Sequence, residues 1–227
     1  MVDTTRFSGM FSVAHLNALV IGAGGIGGPT ALALAKMGFR EVAWCDDELV
    51  SSENTGTQLY GVTDIGAAKV INLGNIIQRL TEYNESYGAV IGRFPWEPGS
   101  LSGYEPDPDF IISAVDSIDA RKKIWDGIFD FPTWQWYIDA RMGAEIFQMW
   151  TVRRGSKQVE MYDRMISRQT DEDIPDLPCT SKATFYTGFY AGAKVASTVA
   201  NIVRDLQIPH FMSCDLTGYT ERVHAWT

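Results

Sequence analysis

The 227 residues are 45% hydrophobic, 21% charged and 12% aromatic, a composition that can bury a substantial core and that excludes disorder, collagen-like repeats and a small disulfide scaffold. Lys and Arg number 19 against 28 Asp and Glu, a formal charge of −9, which argues against a dedicated nucleic-acid binder because such proteins need a basic face. The three cysteines, Cys45, Cys179 and Cys214, form no Cys-x-x-Cys pair, so neither a zinc site nor a disulfide framework is expected.

In chain order, MVDTTRFSGM lacks a basic-then-apolar signal layout, and cytoplasm is the default compartment. Ala18-Leu19-Val20-Ile21 is a short apolar run stopped by glycines, as expected of a strand buried on both faces. The uncharged stretch 17–35 approaches membrane-span length. Its glycines and proline make it a strand, a turn and a buried helix instead, and no membrane association is expected. The helix is placed at Pro29 to Met37 and ends at Gly38. A second strand, Glu41 to Cys45, runs into Asp46-Asp47-Glu48, followed by a polar loop (Ser51 to Tyr60) and a helix from Ile65 to Leu80. Ser86 to Ile91 is a third strand, then comes a Pro/Gly-rich loop through Pro108, a strand from Phe110 to Val115 and a helix from Ser117 to Phe129. This alternation implies right-handed crossovers and a parallel sheet.

Beyond residue 130 the pattern changes. Trp136 to Ala140, Glu145 to Arg153 and Gln158 to Met165 alternate or run apolar around Arg154-Gly155-Ser156, and all three are expected to be antiparallel strands. Thr170 to Pro178 is an acidic, exposed loop, Thr184 to Leu206 a long helix rich in Ala and Gly, and His210 to Trp226 strand-like. The whole chain, 1–227, is expected to be one domain, with a nucleotide-binding half (1–130) and an antiparallel substrate half (131–227) that carries a crossover loop at about 168–183.

Gly22-x-Gly24-x-x-Gly27 directly follows a strand and opens a helix, and Asp46 ends the next strand. Glycines let backbone amides approach a phosphate, the helix N-terminus adds partial positive charge, and the carboxylate accepts ribose hydroxyls. A nucleotide site is therefore expected here. Downstream stand Asn54, Gln58, the run Asp64-Ile65-Gly66-x-x-Lys69, and Asp116 with Arg121 five residues on.

In this order and spacing the chain resembles the ThiF/MoeB/HesA family of adenylyltransferases, relatives of ubiquitin-activating enzymes. Its pattern is Gly-x-Gly-Gly-x-Gly, then Asp-x-Asp-x-Val-x-x-x-Asn-x-x-Arg-Gln, then Asp-Ile-Gly-x-x-Lys, then aspartate with arginine five residues later. The resemblance implies a Rossmann-like α/β fold whose mostly parallel sheet is extended by antiparallel strands. It also implies a reaction of MgATP with a carboxylate to give an acyl-adenylate and pyrophosphate. On that basis Gly22, Gly24, Gly25 and Gly27 lie beneath the phosphates, Asp46 holds the ribose, and Asn54 and Gln58 line the adenosine-phosphate side. Lys69 neutralises triphosphate charge and Asp116 holds magnesium. The implied acyl substrate is the C-terminus of a small ubiquitin-like protein or peptide, and a homodimer is implied.

Each residue also has a plainer reading. Lys69 reads as a solvated helix lysine, Asp116 as a helix N-cap and Arg121 as the partner of a neighbouring acid, while Asp119 is the rival metal ligand. Two family arginines are missing: Thr57 stands before Gln58, and Arg6-Phe7-Ser8-Gly9 has glycine at the second arginine's place. Arg141, Lys182 and Arg6 are the candidate replacements. Pro178-Cys179-Thr180 partly matches the catalytic segment of ubiquitin-activating enzymes, so Cys179 is either an acyl-thioester nucleophile or a small apolar residue docking the loop. Cys45 is expected to be inert in its strand, and His15, His210 and His224 form no metal or triad pattern. Trp134, Trp136 and Trp150 suit a sheet core or a dimer face. Two rival functions account for part of the pattern. An NAD(P)-dependent oxidoreductase explains the glycine turn and Asp46 only, and a degenerate, non-catalytic nucleotide-binding relative accommodates Gly9 and Thr57.

Overall fold

A computed structural model describes residues 2–81, 88–94, 107–173 and 183–225. One eight-stranded sheet runs through it: β1 (Asn17–Ile21), β2 (Glu41–Asp46), β3 (Ala89–Ile91), β4 (Phe110–Ser113), β5 (Trp136–Gly143), β6 (Ile146–Arg153), β7 (Pro209–Asp215) and β8 (Thr220–Ala225). The spatial order is β3-β2-β1-β4-β5-β6-β7-β8. The first five strands in that order pair in parallel and the last three add antiparallel. The Rossmann-like reading therefore holds, with the order reversing at β1.

The strands are apolar on both faces because helices cover both. Ala18, Val20, Val42 and Ile112 point to one side, where α1 (Gly27–Met37), α2 (Lys69–Thr81) and α5 (Phe185–Val203) bring Leu34, Leu73, Ile77 and Val195. Leu19, Ile21, Ala43 and Ile111 point to the other, covered by α3 (Ile118–Gly127) and α4 (Lys157–Arg168) through Ile124, Trp125, Tyr162 and Ile166. Fully burying each large apolar side chain contributes roughly 1.5–3 kcal/mol. Among the described residues no helix is long and apolar enough to cross a membrane.

Residues 157–168 correct one expectation, since the segment Gln158 to Met165 forms α4 and not a strand. Gly155, at φ 71°, turns the chain out of β6, and the Ser156 hydroxyl caps the helix by accepting from the Gln158 amide at 3.2 Å. Val159, Tyr162, Met165 and Ile166 then recur at helical spacing and face the sheet together. Other shifts are smaller. The helix expected from Ile65 starts at Lys69, after a 3-10 turn over Val62–Asp64. The third strand covers only Ala89–Ile91, residues 86 and 87 lying outside the described set. The tail is a hairpin of β7 and β8. Of the loop expected at 170–178, residues 171–173 form a 3-10 turn and 174–178 lie outside the described residues.

The small residues of α5 let it lie close to α1 and the glycine turn. A Cβ at Gly188 would stand 2.3 Å from the Gly25 carbonyl oxygen, so even alanine forces the two segments apart. Gly188→Ala is expected to cost about 1–3 kcal/mol by overpacking, lowering the thermal midpoint by roughly 2–4 °C per kcal/mol in a chain of this size. An unchanged midpoint in thermal unfolding contradicts this account of the contact.

Candidate nucleotide-binding and active site

The turn after β1 is built so that only glycine fits at its two tightest points. Gly22 has φ 98° and packs on β4's exit: an added Cβ would sit 2.7 Å from the Ala114 carbonyl oxygen. At Gly27 a Cβ would lie 1.7 Å from the Gly22 carbonyl oxygen. The two requirements fold the turn back on itself and start α1 close to the sheet edge. No side chain caps that helix start and no acidic residue stands in its first turn, so its N-terminal partial charge is left for a ligand. Gly24 lies beneath Gln58, with a would-be Cβ 3.8 Å from Nε2, and Gly25 faces Met142 and the Thr57 carbonyl.

Asp46 ends β2 beside this turn. Its Oδ2 accepts from the Ala23 amide at 2.7 Å and its Oδ1 from the Glu48 amide at 2.8 Å. Burial pushes its carboxyl above the usual range, while those two amides and the Lys69 charge work in the opposite direction. The Tyr60 hydroxyl donates to the Ala23 carbonyl at 2.6 Å, so the same residue, Ala23, is held from both sides of its backbone.

The polar loop supplies the next layer. Asn54 Oδ1 accepts from the Ser51 amide at 2.9 Å and closes the 3-10 turn Ser52–Gly56. Gln58 follows with its amide oxygen buried and without a partner among the described residues. An unpartnered buried acceptor costs about 1–3 kcal/mol, and a nucleotide hydroxyl or amine above Gly24 would satisfy it. Lys69, the first residue of α2, is 4% exposed and forms an ion pair with Glu48, whose side chain is 59% exposed. It is thus a buried cation at the cleft and not the solvated helix lysine of the plainer reading.

Asp116 lies just past β4, exposed and without a hydrogen bond or ion pair among the described residues. It does not cap α3. Ser117 does, its hydroxyl accepting from the Ala120 amide at 3.1 Å. Asp119 is exposed in the first turn of that helix. Arg121 is buried and points inward, donating to the Val115 carbonyl and pairing with Asp139. It thereby pins the turn that carries Asp116.

Asp139, on β5, is fully buried and receives Arg121, Arg141 (2.6 Å) and the Tyr162 hydroxyl (2.7 Å). Burial opposes its charge, but the two guanidiniums outweigh this and hold its carboxyl below the ordinary range. Arg141 also donates to Gln169 Oε1 at 2.6 Å. The structure thus places Arg141 against Asp139 and Gln169 on the α3–α4 side of the sheet, while the glycine turn opens towards α1. Asp171 Oδ1 accepts from the Ile118 amide at 2.5 Å, so the chain beyond α4 is moored to the same turn.

Arg6 is exposed, two residues after Thr4, which packs against Gly38 at the end of α1 remote from the glycine turn. Cys179 and Lys182 lie outside the described residues. Cys45 is buried in β2, and burial pushes its thiol far above the usual value. Cys214 is buried in β7. Trp134 is buried in the core on the α3–α4 side, with Trp150 packed against that core and Trp136 against the one on the opposite face. Among the described residues no group of three or more His, Cys, Asp or Glu is arranged to hold a metal ion.

Sequence reasoning missed the Asp139 cluster, which joins residues 18 and 23 positions apart, and it missed Arg93. Arg93 follows β3 and donates to Asp47 Oδ2 at 2.6 Å, one residue past Asp46. The only local signal for either is a charged residue inside or just after an apolar strand.

A family model described as the ThiF family matches residues 2–203. The adenylyltransferase and sulfurtransferase uba4 of Aspergillus fumigatus is 29% identical over 127 residues, which is 56% of this chain and 25% of that protein. Among solved structures, Escherichia coli MccB with ATP superposes with a TM-score of 0.67 at 15% identity, covering 94% of this chain and 64% of that one. The microcin C7 biosynthetic enzyme MccB in complex with N-formylated MccA gives a TM-score of 0.67 at 14% identity, covering 94% and 65%. The chain therefore spans a quarter of the curated relative and under two thirds of these structural neighbours, whose likeness is one of fold.

Proposed function

Because the chain belongs to the ThiF family, we propose that it adenylates a carboxylate with ATP, releasing pyrophosphate, and that the carboxylate is the C-terminus of a small ubiquitin-like protein or peptide. One observation carries the reading: a glycine turn, the acid Asp46, the buried cation Lys69 and the unpaired acid Asp116 stand at one edge of the sheet, at the carboxyl ends of its parallel strands. Open α/β sheets bind nucleotides at that place, where the strand order reverses.

The chemistry follows from charge. A carboxylate oxygen attacks the α-phosphorus, the bond to the bridging oxygen breaks, and the electron pair leaves with pyrophosphate. Negative charge therefore grows on the leaving group, and positioned cations and dipoles stabilise it more than any nucleophile of the protein would. The uncapped start of α1 and the amides of Gly24 and Gly25 face the phosphates in this scheme. Lys69 exchanges Glu48 for a phosphate oxygen, Asp46 and Gln58 orient the nucleoside, and Asn54 holds the loop that presents Gln58.

Asp116 fits a magnesium ion as its one protein carboxylate, because magnesium keeps several waters and takes its other ligands from substrate phosphates. When bound, that ion would neutralise phosphate charge. The residues that hold the Asp116 turn in place are Arg121, through Val115, and Asp171, through Ile118. Cys179 is proposed as the acceptor of the activated acyl group, and the working unit as a homodimer.

ATP–pyrophosphate exchange tests the reading. The wild type with a suitable carboxylate is expected to catalyse exchange and to bind MgATP but not NAD. Exchange is expected to survive Cys179→Ala, which blocks only transfer to the thiol. Lower exchange in Lys182→Ala would assign that residue to the phosphates. In Arg141→Ala, which also unpairs the buried Asp139, it does so only if the thermal midpoint stays at the wild-type value, and wild-type rates in both variants remove them. A protein that binds ATP yet exchanges with no carboxylate is a nucleotide sensor, and the proposal fails.

A further inference from the structure

The acid run Asp46-Asp47-Glu48 at the end of β2 distributes its three carboxylates over three tasks. Asp46 holds backbone amides, Glu48 pairs with Lys69, and Asp47 pairs with Arg93. Two cations are thus held on two consecutive acids just past the end of β2. They differ in setting: Lys69 is buried, whereas the Arg93 side chain is 82% exposed and Asp47 39%. An exposed pair of this kind contributes little to stability, typically under about 1 kcal/mol, so nothing in the fold requires Arg93 to stay where it is.

The segment that carries Arg93 is fixed all the same. The Gly92 amide donates to the Asp46 carbonyl at 3.2 Å, and Phe94 is buried, its ring 5.9 Å from that of Phe131. An exposed guanidinium therefore projects from a backbone tied to β2, beside the acid expected to hold the ribose. β3 lies two strands from β1, about 10 Å, a gap that an extended arginine and a bound phosphate chain close between them. Asp47 dominates the surroundings of the Arg93 charge, with smaller contributions from Glu48 and Asp116. Arg121 and Arg141, further along the same edge, are committed to Asp139.

We propose that Arg93 is a second cation for the nucleotide's triphosphate, held on Asp47 while the cleft is empty and transferred to phosphate oxygens when the nucleotide enters. Guanidinium binds phosphate with two parallel hydrogen bonds, which a single exposed carboxylate contact does not match. Asp47 keeps the side chain near the cleft and competes with the ligand for it. This role rests on the ATP reading above.

The experiment compares binding of ATP and of adenosine by calorimetry at about 0.1 M salt, where charges within about 10 Å still interact. Arg93→Ala is expected to weaken ATP about tenfold and to leave adenosine unchanged. Arg93→Lys is expected to recover part of the loss. Asp47→Asn, by releasing Arg93, is expected to tighten ATP about threefold, and to have no such effect when Arg93 is already alanine. Equal weakening of ATP and adenosine would make Arg93 a purine contact and overturn the proposal, as would wild-type ATP affinity in Arg93→Ala. Tightening by Asp47→Asn in the Arg93→Ala background would reduce the effect to a general surface field, with the same consequence. A wild type that binds adenosine nucleotides not at all refutes the ATP reading itself, whereas these variant outcomes refute the Arg93 role alone.

Discussion

Lys69→Ala is expected to lower the rate of ATP–pyrophosphate exchange by about 10²–10³, the loss typical when one preorganised donor to a developing charge is removed. The buried ammonium sits at the start of α2 with Glu48 as its partner, and adenylation is proposed to move it onto the departing phosphates. The effect on folding is expected to be small by comparison, because the Glu48 carboxylate left behind is largely solvated. A thermal midpoint near that of the wild type, together with the collapse in exchange, separates the two effects. Exchange within twofold of wild type would assign Lys69 to the fold and remove the main cation from the proposed chemistry.

Asp139→Ala is expected to be the most damaging substitution for stability. It strands Arg121, 4% exposed, and Arg141, 13% exposed, and takes the acceptor from the Tyr162 hydroxyl. Breaking a buried pair from one side costs about 3–5 kcal/mol because the remaining charge stays buried without compensation. In a chain of this length that lowers the thermal midpoint by about 10 °C. The same carboxyl predicts a pH dependence. Its value in the fold lies below that of the unfolded chain, so its stabilisation is complete above the ordinary carboxylate range, near pH 4, and is lost as pH falls towards the folded value. Asp139→Asn is expected to be less stable than wild type at neutral pH and to show a flatter decline below about pH 4. Parallel acid-unfolding curves for the two proteins would show that the cluster does not carry this charge.

Arg121 links the Asp139 cluster to the proposed metal carboxylate. It donates to the Val115 carbonyl, one residue before Asp116, while its charge is held by Asp139. A loss of the Asp139 cluster should therefore also misplace the proposed metal carboxylate, and part of the activity lost in Asp139→Asn is expected to return at higher magnesium.

The glycine turn, Asp46, Gln58 and Lys69 are legible in the sequence because each sits at a chain position that local chemistry defines: after an apolar run, at a strand's end, in a polar loop, at a helix's start. Residues 158–165 are the opposite case. Their apolar positions fit a short strand as easily as a helix, and Gly155, Ser156 and the face of the sheet left open beside β6 decide for the helix. Asp116 falls just past β4, which stops at Ser113 and not at the expected Val115, and its plainer role as a cap does not hold. Two neighbouring residues both qualify as caps, and only the folded chain shows Ser117 taking the amide.

Order along the chain, hydrophobic period and glycine placement are enough to specify an α/β sheet with a nucleotide turn, since these depend on backbone sterics and on burial within a few residues. The partners of the charges are a matter for the folded chain. Arg121 with Asp139, Arg141 with Gln169 and Arg93 with Asp47 meet across 18, 28 and 46 residues. An ion pair acts through space over a few ångströms and carries no period or spacing, so its members are identified only when the sheet and helices bring them together.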